Sequence, residues 1–153
     1  EPNSLHNFYD GLKKFQGYEI DENGAVSIFN SYIPMPKELQ GTKSPGDSPN
    51  WYDWSCDNWG SKWGDYDTDL VLNADSISGW YSSAWGPCNE GIKTLSSLFP
   101  DLTFEVTYNE PGMMFMGYQL CQNGEEIEEW SRDMTRHDLI VLGYDCDEDE
   151  DEE

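Results

Sequence analysis

The amino-acid sequence predicts an α+β sandwich, in which two helices cover one face of a mainly antiparallel sheet. Two helical patterns, one near the N-terminus and one at residues 87–99, are separated and followed by short strand patterns with turn residues between them. The 153 residues are enough for one domain with a substantial core. We therefore expect a single domain over residues 1–144 and an acidic, disordered tail over residues 145–153.

The first half of the chain predicts one helix, two strands and a loop. Apolar residues at helical spacing predict a helix over residues 4–15, for which Ser4 is the candidate N-cap. Residues 25–33 are rich in β-forming side chains and predict a strand. Two Pro and two Gly within residues 41–50 indicate a surface loop, and noisy alternation over residues 65–75 predicts a second strand.

Residues 87–99 carry the clearest helical pattern in the chain. Pro87 suits the start of a helix, and Pro100 ends the pattern. The apolar stripe consists of Ile92, Leu95, Leu98 and Phe99. We expect this helix to pack its stripe against the sheet.

The last third of the chain predicts consecutive strands. Alternation predicts strands over residues 102–108 and 113–122, joined by a turn that contains Pro111. The pair Asn123–Gly124 is typical of a tight hairpin and predicts a partner strand from residue 125 to 130. The apolar run at residues 139–142 predicts a final strand.

Composition excludes several classes of function. The chain has 31 acidic and 8 basic side chains, a formal net charge of -23, so it would repel nucleic-acid phosphates and anionic membranes. No apolar run approaches the ~18 residues that cross a bilayer, and the N-terminus lacks the order of a secretory signal. We expect a cytoplasmic protein that binds neither nucleic acid nor membrane directly. The first residue is not Met, so an N-terminal element is expected to be missing.

The cysteines predict neither a zinc site nor a disulfide. Four cysteines lie far apart in the sequence, without a Cys-x-x-Cys pair or a nearby His. They are Cys56, Cys88, Cys121 and Cys146. Ordinary cysteine density and a cytoplasmic location favour reduced thiols.

The segment at residues 65–69 imitates the beginning of a calcium-binding loop. Leu70 stands where the sharp turn of such a loop requires Gly, and Ser76 where a bidentate Glu is needed. A looser site built from carboxylates within residues 53–69 is less favoured than ordinary solvated side chains. The sequence therefore predicts no metal and no cofactor.

The sequence also predicts that the protein is not an enzyme. Its two imidazoles, His6 and His137, stand in no known nucleophile motif. Glycines at positions 112 and 117 flank an apolar strand segment rather than a phosphate-binding loop. We assign no catalytic residue.

Five segments stand in a recognisable order: residues 29–39, 58–67, 83–87, 98–105, and 110–113 with Gly117. Together they resemble the Api92-like or YubB-type proteins with a ferredoxin-like domain, which are found on phages and plasmids. The resemblance implies a ferredoxin-like fold without an iron–sulfur cluster, and the role of a mobile-element accessory protein. The family usually has an additional strand before its first helix, which this sequence lacks, so either that strand is missing or the edge of the sheet is built differently. The resemblance carries over no catalytic residues.

Six of the seven tryptophans lie within residues 51–85, which is more aromatic area than a domain of this size needs. Trp59, Trp63 and Trp85 lie in the family segments and are predicted to pack in the core. For each of Trp51 and Trp54, the sequence favours a core position and a contact-surface position equally. The predicted partner-binding residues are Trp51, Trp54, Asp53, Asp57, Asp65 and Asp67, together with Asp147, Glu148, Asp149 and Glu150 of the tail.

Three functions follow, in decreasing order of preference. The first is an acidic accessory protein that binds a basic host protein, as a nucleic-acid mimic or counter-defence inhibitor. A globule of this length is ~38 Å across, and duplex DNA of that length carries ~22 charges, which is close to the net charge of the chain. However, residues 125–153 hold 14 of the 31 carboxylates, so the rest of the chain has a lower charge density than DNA. The others are a tryptophan-lined domain for a peptide or small ligand, and a metal-assisted enzyme that uses carboxylates of residues 53–69.

Overall fold

The computed structural model describes residues 4–14 and 26–144, which contain helices and strands in mixed order. The helices are α1 (Ser4–Asp10), α2 (Ile28–Tyr32), α3 (Trp51–Asn58), α4 (Asn89–Leu98) and α5 (Arg136–Val141), with a 3-10 turn at Lys37–Leu39. The strands are β1 (Lys13–Lys14), β2 (Val26–Ser27), β3 (Asp65–Leu72), β4 (Ile77–Ser83), β5 (Thr103–Glu110), β6 (Phe115–Gln122) and β7 (Glu125–Asp133).

All strand pairing in these residues is antiparallel. The strands form two pairs, β1–β2 and β3–β4, and the three-stranded sheet β5–β6–β7. Asn123 and Gly124 both have positive φ angles, 53° and 78°, as a two-residue hairpin turn requires. The predicted α+β class is confirmed, as are the strands of the last sheet and the turn between β6 and β7.

The core lies where α1, α2 and α4 meet the strands. Helix α4 confirms the prediction for residues 87–99, because Ile92 and Leu95 of its stripe are buried. Leu98, which was expected in the stripe, is instead exposed. The buried apolar residues are Phe8, Ile28, Phe29, Met35, Leu39, Trp59, Cys88, Ile92, Leu95 and Cys121.

The predicted strand over residues 25–33 is wrong for most of its length. Only Val26–Ser27 is a strand, and Ile28–Tyr32 forms α2. The amides of Ile28 and Phe29 donate to the carboxylate of Asp65 at 2.7 and 2.9 Å, and the Ser27 hydroxyl donates to it at 3.0 Å. Asp65 is 36 to 38 residues further along the chain, and its carboxylate accepts from amides that the first turn of a helix leaves unpaired. This long-range contact overrides the preference of the local sequence for a strand.

The predicted final strand is also wrong, because residues 139–142 belong to α5 and its C-cap. Thr135 caps the helix, and its hydroxyl accepts from the amide of Asp138 at 3.2 Å. The guanidinium of Arg132 donates to both oxygens of Asp138 at 2.8 and 2.9 Å. His137 therefore lies inside a helix rather than before a strand.

Two other differences concern the first half of the chain. The first helix ends at Asp10 rather than at residue 15. Sequence reasoning missed α3, whose N-cap Asn50 accepts from the amide of Asp53 at 2.9 Å. Residues 41–50 form the predicted loop, which leads from the 3-10 turn to α3 and is mostly exposed, although Asn50 at its end is buried. The predicted disordered tail, residues 145–153, lies outside the described residues.

Candidate functional site

The predicted contact residues of α3 are used largely for packing. Trp54 is half-buried and meets Trp59 edge-on, with ring centroids 5.0 Å apart, and Trp51 packs against the core beside it. The carboxylate of Asp53 accepts from the Asn50 side-chain amide at 3.0 Å. Asp57 is exposed. Helix α3 thus turns both of its tryptophans toward the core. The sequence favoured packing and surface contact equally for them, and in the structure both serve mainly for packing.

Asp65 does not belong to a contact surface, and this prediction is corrected. Its side chain is 2% exposed. Besides holding α2, it accepts from the hydroxyl of Thr68 at 2.6 Å. A carboxylate that is buried and used in this way stabilises the fold. Asp67, two residues later, is exposed with a φ of 50°, where β3 bulges.

The remaining tryptophans divide differently from the prediction. Trp59 is 1% exposed, so its predicted packing role is confirmed. Trp63 is half-buried, and the ammonium of Lys62 lies 4.5 Å from its ring centroid. Trp85 was predicted to pack, but it is 84% exposed, and its φ of 69° holds it in the left-handed region. Trp80 is 65% exposed.

The tail carboxylates Asp147, Glu148, Asp149 and Glu150 lie outside the described residues. Of the predicted contact residues that the structure describes, Trp51, Asp53, Trp54 and Asp57 share α3, whereas Asp65 and Asp67 lie on β3. Among the described ones, Asp53, Asp57 and Asp67 are the carboxylates that lie at the surface.

A different set of side chains forms a coherent surface on the sheet β5–β6–β7. Alternate residues of β6, Gly117, Gln119 and Cys121, are buried. The residues between them lie on the opposite face of the sheet, which is less covered. We name as the outer face the four side chains Glu105, Tyr118, Glu128 and Trp130 on this side.

The outer face combines aromatic rings with carboxylates. Tyr118 pairs with Trp130 across the strands, and their rings stack with centroids 6.2 Å apart and an interplanar angle of 18°. The Tyr118 hydroxyl donates to the carboxylate of Glu105 at 2.7 Å. In the neighbouring register position, Leu120 pairs with Glu105 on one side and Glu128 on the other. Carboxylates therefore stand beside the ring pair on both flanking strands.

The outer face already accommodates one cation of the chain itself. The guanidinium carbon of Arg132 lies 5.9 Å from the ring centroid of Trp130. Ring faces attract ammonium and guanidinium groups, and neighbouring carboxylates add charge-assisted hydrogen bonds. The arrangement is suited to holding Lys or Arg side chains.

Sequence reasoning missed the outer face because of one irregularity in the strand register. Near the turn, Gln122 pairs with Glu125 and Cys121 with Glu126. Continued without interruption, this register would place Tyr118 opposite Glu129. A bulge between Leu120 and Cys121 shifts it by one residue, so that Trp130 stands opposite Tyr118.

The hydrogen bond to Glu105 raises the pKa of Tyr118 to about 12, with contributions from desolvation and from the charges of Glu105 and Glu128. A tyrosine whose folded-state pKa is raised keeps its stabilising contact below pH 10 and loses it as the pH rises toward 12. In an alkaline absorbance titration we expect Tyr118 to ionise late, and Glu105→Gln to bring its transition back toward pH 10. Burial also raises the pKa of Tyr81, so Tyr118→Phe should lower the amplitude of the late transition by one tyrosine rather than remove it. A late amplitude that is unchanged in Tyr118→Phe would contradict the assignment.

Strand β7, which borders the outer face, is exposed along its whole length. It carries the carboxylates of Glu125, Glu126, Glu128, Glu129 and Asp133. Charges on an edge strand prevent association with other edges, and they also give this side of the sheet a negative potential. Both effects apply here.

The chemistry of the buried groups is structural. Burial raises the pKa of the Cys88 thiol to about 12, so the thiol stays protonated at neutral pH.

Within residues 4–14 and 26–144, no group of three or more His, Cys, Asp or Glu side chains is arranged to hold a metal ion. In the same residues, no helix has the length and apolar character that crossing a bilayer requires.

Comparison with known proteins identifies the family. The model of the family described as "Ferredoxin-like domain in Api92-like protein" matches residues 58–153, which is more than half of the chain. No curated protein and no solved structure matches. The matched region begins at the end of α3 and includes β3, β4, α4 and the whole sheet β5–β6–β7. The chain therefore belongs to the Api92-like family and carries its ferredoxin-like domain.

Proposed function

We propose that this is a non-enzymatic accessory protein of a phage or a similar mobile element, which binds a basic host protein in the bacterial cytoplasm. The observation that carries the proposal is the outer face, where the stacked rings of Tyr118 and Trp130 lie between the carboxylates of Glu105 and Glu128. Stacked rings flanked by acids select cationic side chains.

The charge of the chain supports the same kind of partner. A net charge of -23 accelerates encounter with a positively charged protein and disfavours acidic partners. The rings of the outer face then supply contact area that salt does not screen. Binding that depends on both charge attraction and ring contacts weakens when salt is added but is not lost.

The test is affinity capture from a bacterial lysate at two salt concentrations, followed by titration of the captured protein. We expect a basic protein whose affinity falls about tenfold in Trp130→Ala, the change produced by losing one aromatic anchor. Glu128→Gln should weaken binding more at low salt than at high salt.

Matched controls are available elsewhere on the surface. Trp85→Ala removes an exposed tryptophan that is not part of the outer face, and Glu90→Gln removes an exposed carboxylate on α4. Both should bind like the unchanged chain. An equal loss in Trp85→Ala and Trp130→Ala, or a captured partner of acidic character, would refute the proposal.

A further inference from the structure

One end of the outer face shows how a guanidinium is held beside its rings. Arg132 stands two residues from Trp130 on β7, and its guanidinium carbon lies 5.9 Å from the ring centroid. The same guanidinium donates to both oxygens of Asp138, at 2.8 and 2.9 Å. It therefore combines a ring contact with two hydrogen bonds to one carboxylate, which the planar fork of arginine allows and the ammonium of lysine does not.

The other end of the ring pair is flanked by two carboxylates in one row. Leu120 of β6 pairs with Glu105 of β5 on one side and with Glu128 of β7 on the other. Both glutamates are exposed, and both lie on the same side of the sheet as the two rings. This row is therefore a second place where a cation can meet a ring and carboxylates together.

The spacing of these carboxylates limits which cation fits between them. Neighbouring strands lie about 4.8 Å apart, so the backbones of Glu105 and Glu128 are about 9.6 Å apart, with Leu120 between them. Glu105 is held in place, because its carboxylate accepts from the Tyr118 hydroxyl at 2.7 Å. A cation above Leu120 must therefore span the space between the carboxylates, since Glu105 cannot move toward Glu128 without losing this hydrogen bond.

Arginine meets this requirement better than lysine. A guanidinium carries N–H donors on opposite sides of one plane, so it can donate to Glu105 on one side and to Glu128 on the other. Its flat face can at the same time contact the ring of Trp130. An ammonium is a compact and strongly hydrated charge, which at this spacing contacts one carboxylate at a time.

We propose that the outer face binds an arginine side chain of the basic partner above Leu120, between Glu105 and Glu128, and discriminates against lysine at this position. This inference rests on the proposed function and specifies which cationic side chain is recognised. Arg132 does not compete for the position, because it pairs with Met116, four residues from Leu120 along β6. The two rows are about 13 Å apart, which exceeds the screening length of about 8 Å at physiological salt.

The test compares two fluorescein-labelled nine-residue peptides, one of alternating arginine and serine and one of alternating lysine and serine. Each is titrated into the full chain at two salt concentrations. The peptides have the same length and charge, so general attraction to the acidic chain is the same for both. We expect the arginine peptide to bind at least about tenfold more tightly, the effect of one additional charge-assisted hydrogen bond. Equal affinities would overturn the proposal.

Variants of the outer face locate the preference. Glu105→Gln and Glu128→Gln should each weaken binding of the arginine peptide about tenfold and binding of the lysine peptide less. Tyr118→Phe keeps both carboxylates but releases Glu105, so it should lower the ratio of the two affinities without changing the charge. Glu90→Gln on α4 removes an equal charge outside the outer face and should leave the ratio unchanged. An arginine preference that survives in all of these variants would place the arginine elsewhere and refute the inference.

Other results separate this inference from the proposed function. Equal binding of both peptides that is lost in Trp130→Ala would refute the selectivity for arginine, while the outer face would still bind cationic side chains. Absence of peptide binding would also refute the inference, even if a basic protein is captured from the lysate and depends on Trp130. Failure of both the peptides and the lysate capture would refute the inference and the proposed function together.

Discussion

Replacing Trp59 by alanine is expected to lower the free energy of unfolding by about 4 kcal/mol, as for other large core deletions. The ring is 1% exposed and meets Trp54 edge-on. Its indole nitrogen donates to the carbonyl oxygen of Ile33 at 2.8 Å, and the substitution would leave that oxygen without its donor. The measurement is urea denaturation followed by circular dichroism.

The same substitution at Trp85 is the matched control. Trp85 is 84% exposed, so Trp85→Ala should change the free energy of unfolding by less than about 0.5 kcal/mol. Trp59→Phe keeps much of the buried area but loses the hydrogen bond, and should fall between the two. Equal losses at both tryptophans would contradict the burial that distinguishes them.

These two tryptophans show what the sequence could predict and what it could not. Both lie in segments shared with the family, and residue type alone gave them the same role. Trp85 is turned outward by its positive φ between Ala84 and Gly86, a backbone feature that no periodicity reveals. Side-chain environment here depends on local backbone geometry.

The elements that sequence reasoning predicted well are those whose pattern is local. Helix α4 has its own apolar stripe, and the hairpin between β6 and β7 has its Asn–Gly turn. Helix α2 is different, because its first turn depends on Asp65, a residue 36 or 37 positions away. The outer face was missed for a related reason, since a bulge at Ile127 of β7 decides which residue stands opposite Tyr118.

Replacing Asp65 by alanine is expected to cost about 3 kcal/mol, because it leaves several buried donors without an acceptor. The donors are the amides of Ile28 and Phe29 and the hydroxyls of Ser27 and Thr68. The effect should concentrate at α2, whose amides should exchange with solvent faster than those of α4. Urea denaturation gives the total, and hydrogen exchange gives the location.

Asp69→Ala is the control, because Asp69 lies on the same strand with its side chain exposed. It removes an equal charge and should leave stability within about 0.5 kcal/mol. A similar loss in both variants would mean that strand β3 simply disfavours alanine. A loss confined to Asp65→Ala would establish that one buried carboxylate determines the choice of helix over strand at residues 28–32, since the local sequence there is unchanged.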